Sequence, residues 1–512
     1  MDVLLCLLSA PIWLISSILI ILIGFYFRSR PLNQPPGPKP WPIIGNLNII
    51  SSLPHRSIHE LSKRYGPIMK LQFGSLPVIV GSSAEMAKQF FKVHDHNLAS
   101  RPKTAAGNYL HYSYNNMLWA PYGPYWRLTR KLFHTELFHM KRLDTYAYIR
   151  VEEFQVLLSN LYRSRGKSMP LRDHLFRLTL NNITRMVLGK KLLDEFEFEE
   201  FKKMLEEGFF LSGALNIGDL IPWVHDLSYS LGFYLQGYVK RMKAASKRVD
   251  TFLEHQVNEH ITRRDVHVRE STPKVMLDVL LELADDPNSD VRLCRNQVKS
   301  LTLDLLAAGT ETPSTIIEWA MSALIKQPEM FEKATKELDE VIGENRWVEE
   351  KDIPNLPYIK SILYETMRMY PVAPMLAPHS ACENCKIHGY DIVKGTQVLV
   401  NVWSIGRDPT LWDSPNEFCP DRFIGRDIDI NGQYFELLPF GSGRRICPAY
   451  HLGRKLIEAG LANLIHGFRW KLPNPMSHLD LDMEEVWGLS VTKKEPLVVV
   501  DEPRLPLHMY SF

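Results

Sequence analysis

A single cysteine near the C-terminus, Cys447, stands in a setting that suits metal binding. It follows a tight turn at Gly441 and Gly443, lies beside Arg444 and Arg445, and leads into an apolar helical pattern. Glycine lets the backbone bend closely past a large flat ligand. The arginines, backbone N–H groups and the amino end of the following helix all favour the thiolate, the form of cysteine that binds metals. The segment predicts a thiolate that holds a metal cofactor from one side; a buried, inert cysteine in a turn is the alternative.

Two residue pairs on predicted helices could position charged groups. Trp126 and Arg130 are four residues apart and share one helix face, where an arginine could bind a carboxylate through two charge-assisted hydrogen bonds. Glu365 and Arg368 are three residues apart and can form an ion pair. Exposed pairs contribute little to stability, so the meaning of both pairs depends on the rest of the pattern.

Residues 301–325 predict one long, largely apolar helix that contains Gly309 and Pro313. Inside a buried helix these two residues cost about 1 and about 3 kcal/mol relative to alanine. A helix that accepts both is expected to carry a local distortion with a purpose. A plain kinked core helix is the alternative.

Composition and charge narrow the class of protein. The chain has 512 residues, 45% of them hydrophobic, and a formal net charge of +2. The length suggests roughly three domains, yet no linker, repeat or low-complexity segment divides the chain after residue 46, so we expect one large domain. The near-neutral charge gives no indication of nucleic-acid binding. Six scattered cysteines form no disulfide framework and are typical of a reducing compartment.

The amino-terminal residues predict a membrane anchor. Residues 3–27 are almost wholly apolar, Asp2 precedes them, and Arg28 and Arg30 follow. This charge pattern puts the N-terminus in the lumen and the rest of the chain in the cytosol. Prolines at high density over 35–42 give a stiff, extended spacer. The predicted organisation is a transmembrane anchor over 1–27, a basic, proline-rich hinge over 28–46 and one large domain over 47–512.

The cysteine loop resembles the haem-binding loop of cytochromes P450, Phe-x-x-Gly-x-Arg-x-Cys-x-Gly. It matches at Phe440, Gly443, Arg445 and Cys447 and departs at Ala449, where the family usually has glycine. The other motifs occur in family order, so the resemblance covers essentially the whole chain. It is similar to plant microsomal enzymes of the large clan that includes flavonoid hydroxylase-like and terpenoid-oxidising members. The implied fold is mainly α-helical, a haem-thiolate fold with a small β-rich region and an N-terminal transmembrane helix.

The resemblance also implies a cofactor and a redox partner. The cofactor is haem b, with the Cys447 thiolate as its iron ligand, and such a ligand favours O–O cleavage. Electrons come from NADPH through NADPH–cytochrome P450 reductase. The haem propionates would meet Trp126, Arg130, Arg445 and His379, although a surface position for His379 is the alternative.

Further roles follow from the same resemblance. Glu311 and Thr312 would relay protons to dioxygen, although this chain has Pro313 where the family has Thr or Ser. A structural cluster that locks the cysteine pocket would consist of Glu365, Arg368 and Arg422.

Substrate contacts, by position in the family, would come from several separated segments, and their apolar surfaces suit a hydrophobic small molecule. The implied reaction is hydroxylation of a plant specialised metabolite (a phenylpropanoid or flavonoid, a terpenoid or an alkaloid) at the endoplasmic reticulum membrane. One alternative is oxidative coupling, ring closure or C–C cleavage without net oxygen insertion, to which Pro313 and Ala449 give some weight. Another is a catalytically idle membrane scaffold, against which the intact Glu311–Thr312 pair argues. The expected substrate residues are Tyr109, Tyr112, Phe209, Leu305, Ala308, Val372, Leu376 and Leu489.

Overall fold

The computed structural model describes residues 32–191, 195–224, 236–266, 274–285 and 292–511. The described chain is mainly helical, as the sequence predicts. Its helices are α1 (Pro54–Tyr65), α2 (Ala84–Lys88), α3 (Ala105–Tyr109), α4 (Pro124–Leu132), α5 (Met140–Thr145), α6 (Ala147–Ser164), α7 (Leu171–Leu188), α8 (Glu195–Gly213), α9 (Ile217–Leu220), α10 (Tyr238–Val266), α11 (Met276–Asp285), α12 (Arg295–Lys326), α13 (Pro328–Val341), α14 (Pro357–Met369), α15 (Val402–Ile405) and α16 (Tyr450–Gly467).

Small sheets lie beside the helices. The largest sheet in the described residues has the strand order β1-β2-β7-β4, with β2 and β7 parallel and the other neighbours antiparallel. A second sheet has the order β3-β11-β8, and β5-β6 and β9-β10 form two-stranded pairs. The strands are β1 (Ile68–Phe73), β2 (Leu76–Gly81), β3 (Ser168–Pro170), β4 (His379–Ser380), β5 (Cys385–Ile387), β6 (Tyr390–Ile392), β7 (Gln397–Val400), β8 (Phe468–Lys471), β9 (Glu485–Val486), β10 (Thr492–Lys493) and β11 (Val498–Pro503).

Helix α12 is the central support of the molecule. It packs against α7, α14 and α16, and its second half belongs to the largest hydrophobic core. The close approach of α7 explains Gly309, because a Cβ there would lie 2.7 Å from Ile183 Cγ1. The helix continues through Pro313 without a break. The hydroxyls of Thr310 and Thr312 donate to the carbonyls four residues earlier, a type of bond that often bends helices.

The proline-rich hinge lies along the edge of the largest sheet where the structure describes it. Lys70 N donates to Pro36 O at 2.8 Å, and Asn46 N donates to Gln72 O at 2.6 Å. Gly37 permits this approach, since a Cβ there would lie 2.0 Å from Lys70 O. None of the helices in the described residues is long and apolar enough to cross a bilayer. The predicted anchor over 1–27 falls outside the described residues.

Candidate active site

The loop that carries Cys447 is held in a fixed, tightly turned conformation. Gly443 has a φ of +69°, and a Cβ there would lie 2.4 Å from Phe91 O, so glycine is required both for its conformation and for the close contact. Cys447 N donates to Phe440 O at 3.0 Å. Helix α16 begins three residues later, at Tyr450. The sequence thus builds a rigid turn that presents a thiol at the start of a helix.

The thiol faces a buried cavity of about 420 Å³, lined mainly by apolar side chains. Among the cysteines in the described residues, Cys447 alone lines it. Helix α12 supplies one wall, and the end of α8 and the loops around residues 374 and 489 supply others. The predicted site residues that line this cavity are Trp126, Arg130, Phe209, Leu305, Ala308, Thr312, Val372, Leu376, His379, Arg445, Cys447 and Leu489.

Arg130, rather than Arg444 or Arg445, is the cation that acts on the thiol. Burial raises the pKa of the Cys447 thiol, and the Ala449 N–H and Arg130 oppose that rise. Arg444 instead pairs with Asp95 at 3.0 Å. The expectation that both loop arginines favour the thiolate is therefore wrong, because their side chains turn to other partners. A bound metal ion would itself keep the thiol deprotonated.

Three arginines line the cavity without a carboxylate partner among the described residues. Arg445 donates to Ala99 O and Ala120 O, both at 2.7 Å, and Arg130 donates to Ile446 O at 2.6 Å. Arg101 donates to the carbonyls of residues 118, 377 and 378. Burial lowers the pKa of Arg101 to about 9 and that of Arg445 to about 8, because no anion balances either charge.

Sequence analysis missed Arg101. Its one local signal is a lone arginine after the apolar pair Leu98–Ala99. Its partners at Ala377 and Pro378 are more than 270 positions away in sequence, so no local pattern could connect them to it.

Trp126 and His379 complete this side of the cavity. Trp126 is 3% exposed, its Nε1 has no hydrogen-bond partner in the structure, and Arg445 stacks over its ring at 4.3 Å. His379 is buried, which excludes the surface alternative. Its Nδ1 donates to Leu98 O at 2.8 Å, and burial holds its pKa well below the ordinary value. His379 is therefore neutral, with Nε2 as its remaining polar atom.

These groups fit the haem that the sequence predicts. A haem needs an axial ligand for iron and partners for two propionate carboxylates. Cys447 offers a thiol, and Arg101, Arg130 and Arg445 offer cations that lack an anion. The buried, unpaired N–H of Trp126 adds a neutral donor.

Glu311 pairs with a serine rather than with the neighbouring threonine. The Ser490 hydroxyl donates to Glu311 Oε1, while Glu311 Oε2 is buried without a partner. The Thr312 hydroxyl donates to Ala308 O at 2.8 Å. Burial raises the pKa of Glu311 to about 7, with a further rise from Glu206, and the Ser490 bond opposes it. Ser490 and Thr312 line the cavity and Glu311 does not, so Ser490 links the acid to the cavity.

Two of the expected substrate residues lie elsewhere. The Tyr112 hydroxyl donates to Asp250 at 2.8 Å, and the Tyr109 ring packs under Lys243. Neither ring lines the cavity; the intervening Leu110 and His111 do. The placement of Tyr109 and Tyr112 at the substrate is wrong, because the chain turns after α3 and directs the residues between them inward.

The predicted structural cluster is assembled and buried. Arg368 donates to both carboxylate oxygens of Glu365, at 2.6 and 2.7 Å, and both side chains are fully buried. Arg422 Nε and Cys419 N also donate to Glu365 Oε1. Arg368 further donates to the carbonyls of Pro415 and Glu417, which ties α14 to the segment before the cysteine loop.

Comparison with known proteins gives a consistent picture. The family model described as cytochrome P450 matches residues 35–500. The trimethyltridecatetraene synthase of Zea mays is 44% identical, over 94% of this chain and 91% of its own. The dimethylnonatriene synthase of Zea mays is 42% identical, over 94% of each chain. The flavonoid 3'-monooxygenase of Petunia hybrida is 38% identical, over 96% of each.

A solved structure shows the same architecture. The zebra fish cytochrome P450 structure with abiraterone superimposes with a TM-score of 0.73 at 26% identity, covering 88% of this chain and all of that one. The thiol-lined cavity, the family match over most of the chain and this shared fold lead to one conclusion. The chain belongs to the cytochrome P450 family of haem-thiolate monooxygenases.

Proposed function

We propose that this protein transfers one oxygen atom from O₂ to a C–H bond of a hydrophobic plant metabolite. Its electrons come from NADPH through a separate cytochrome P450 reductase, since the chain has no Gly-x-Gly-x-x-Gly nucleotide motif of its own. The observation that supports this most strongly is the mostly apolar cavity of about 420 Å³ that a thiol lines and that Ser490 connects to the buried carboxyl of Glu311. The apolar part of its lining suits a small apolar ligand beside the haem.

The cofactor and the chain divide the work. Haem, when bound, supplies the oxygen activation. Cys447 would hold the iron, and the propionates would be held by Arg101, Arg130, Arg445 and Trp126. The chain's apolar walls position the substrate and exclude bulk water.

The second role of the chain is to deliver protons to the cavity. Glu311 has a pKa of about 7, so it can both hold and release a proton near neutral pH. A proton on Oε1 is relayed through Ser490 when Oγ takes up that proton and releases its own hydroxyl proton toward the cavity, whose wall it reaches. Thr312 Oγ1, already donating to Ala308 O, is free to accept a hydrogen bond from the cavity side.

The names of the relatives point to flavonoids and to polyenes. One is named for a flavonoid, and two are named for the polyenes they form. We propose a phenylpropanoid or flavonoid, a terpenoid or an alkaloid as the substrate. A second candidate reaction is oxidative C–C cleavage, coupling or ring closure without net oxygen insertion, because two relatives about as long as this chain are synthases of unsaturated hydrocarbons.

The site of action would be the cytosolic face of the endoplasmic reticulum membrane. The apolar run over 3–27 supports a single-pass anchor, with a hinge over 28–46 and a catalytic domain over 47–512. Trp41 and Ile43, in the hinge, are 64% and 60% exposed, as suits residues near a lipid surface.

A mass-shift screen tests the proposal. Microsomes with this protein and a plant reductase are incubated with pooled plant metabolites, with and without NADPH. A product heavier by one oxygen supports hydroxylation, and one that is lighter by two hydrogens, or has lost carbon, supports the second candidate. A Cys447→Ser variant is the matched control and should form neither. A normal carbon monoxide difference spectrum without product from any pool would contradict the proposed substrate classes.

A further inference from the structure

A polar pair interrupts the apolar wall of the cavity. His111, in the loop after α3, and Ser212, at the end of α8, both line the cavity. His111 Nε2 lies 3.3 Å from Ser212 Oγ, at hydrogen-bond distance. His111 is half-buried as a residue, and it is among the residues that line the cavity. Burial lowers the pKa of His111 to about 4, so the ring is neutral at physiological pH.

His111 and Ser212 can each form further hydrogen bonds. His111 Nδ1 has no partner, and neither has the buried Nε1 of Trp119, whose ring centroid lies 6.3 Å from that of His111. The indole can only donate, whereas the imidazole and the serine hydroxyl can each donate or accept. A buried polar group left unpaired is unfavourable, so a ligand group that satisfies it gains affinity.

We propose that His111 and Ser212 form a polar recognition point that selects an apolar substrate bearing a hydroxyl group. A hydroxyl can accept from one of these groups and donate to another at the same time, so it matches either tautomer of His111. A pure hydrocarbon leaves the remaining hydrogen-bonding capacity of His111 and Ser212 unused, and a carbonyl or an ether can accept from them but cannot donate. This inference rests on the proposed function and specifies its substrate class.

Spectral binding titrations of the full-length, haem-loaded protein in lipid nanodiscs test the inference. Two matched pairs of probes are used: farnesol with farnesene, and 7-hydroxyflavanone with flavanone. We expect wild type to prefer the alcohol of at least one pair by about tenfold or more. His111→Phe keeps a ring but removes both nitrogens, and it should abolish this preference by weakening only the alcohol. Ser212→Ala should reduce the preference in the same direction.

Phe209→Leu is the matched control, because it alters an apolar wall and should weaken both members of a pair alike. Equal weakening of both members by His111→Phe would overturn the inference and leave His111 as a tie between the loop and α8. An equal affinity for farnesol and its methyl ether would overturn the requirement for a donated proton. Binding of none of the four probes would overturn this inference and the proposed terpenoid and flavonoid classes together, whereas binding without discrimination overturns the inference alone.

Discussion

Replacement of Ser490 by alanine should raise the pKa of Glu311. The Ser490 hydroxyl donates to Glu311 Oε1, and this bond opposes the burial that raises the pKa of Glu311 to about 7. A hydrogen bond to a charged group contributes about 1.5–3 kcal/mol, and one pKa unit corresponds to about 1.4 kcal/mol. Loss of the hydroxyl therefore shifts the pKa upward by about one to two units. Glu311 then becomes mostly protonated at neutral pH.

Infrared spectroscopy can measure this shift, because the C=O stretching band of a protonated carboxyl disappears when the group ionises. Subtraction of the Glu311→Gln spectrum identifies the band that belongs to Glu311. The titration midpoint of that band then gives the pKa in wild type and in Ser490→Ala. Ser490→Thr keeps a hydroxyl and should titrate near wild type. A midpoint in Ser490→Ala at or below the wild-type value would refute the pairing of Ser490 with Glu311.

The same carboxyl makes stability depend on pH. Its folded-state pKa of about 7 lies above the ordinary value of 4.5, so the folded protein keeps this proton more firmly than the unfolded chain does. The contribution of Glu311 to stability is therefore fully present below pH 4.5 and is lost as the pH rises through about 7, by at most about 3 kcal/mol. Glu311→Gln is neutral throughout and should gain stability relative to wild type between pH 5 and pH 8 in urea unfolding. If Glu311→Gln and wild type differed in free energy of unfolding by the same amount at pH 5 and at pH 8, this prediction would be wrong.

Three further substitutions test the rest of the site. Glu365→Ala leaves the buried guanidinium groups of Arg368 and Arg422 without a carboxylate partner, and it should lower the free energy of unfolding by about 3–5 kcal/mol in thermal unfolding. A stability near wild type would show that this cluster does not stabilise the fold. Arg101→Ala removes the proposed charge-assisted bond to a haem propionate and should speed haem transfer to an acceptor protein by about tenfold or more. An unchanged rate would show that Arg101 does not hold the haem. Gly309→Ala places a methyl group 2.7 Å from Ile183 Cγ1 and should destabilise by about 1–3 kcal/mol. In the double variant, Ile183→Ala should recover part of that loss because it removes the contacting side chain. If the destabilisations of the two single variants simply added, a clash between residues 309 and 183 would not be the cause.

The sequence predicted those parts of the site that depend on local pattern. The spacing of Trp126 and Arg130 on one helix, and the turn before Cys447, are short-range features, and the structure brings all three side chains to one cavity. The long helix over 301–325 was also predicted from its apolar composition, and it extends over Arg295–Lys326. Because helices and tight turns depend mainly on neighbouring residues, such elements are readable without a structure.

Contacts between distant segments could not be predicted in this way. Ser490 is 179 positions from Glu311, and Ser212 is 101 positions from His111. Nothing in either local sequence indicates which side chain will meet which. Tyr112 was expected at the substrate because it is an aromatic residue in a segment that reaches the cavity. In the structure its hydroxyl donates to Asp250 and its ring does not line the cavity. Side-chain direction in a loop depends on tertiary packing, which a linear pattern does not contain.

The charges of the cavity are separated in a way that suits its function. Arg101, Arg130 and Arg445 gather on the side of the cysteine loop, whereas Glu311 lies on α12 with Ser490 as its partner. The buried arginines lack an anion, so the folded chain alone carries an electrostatic cost. The propionates of a bound haem would offset that cost, which couples cofactor binding to the stability of the fold. Burial raises the pKa of the Glu311 carboxyl to near neutrality, where a proton carrier must operate, and no arginine in the described chain lies within salt-bridge distance to reverse that rise.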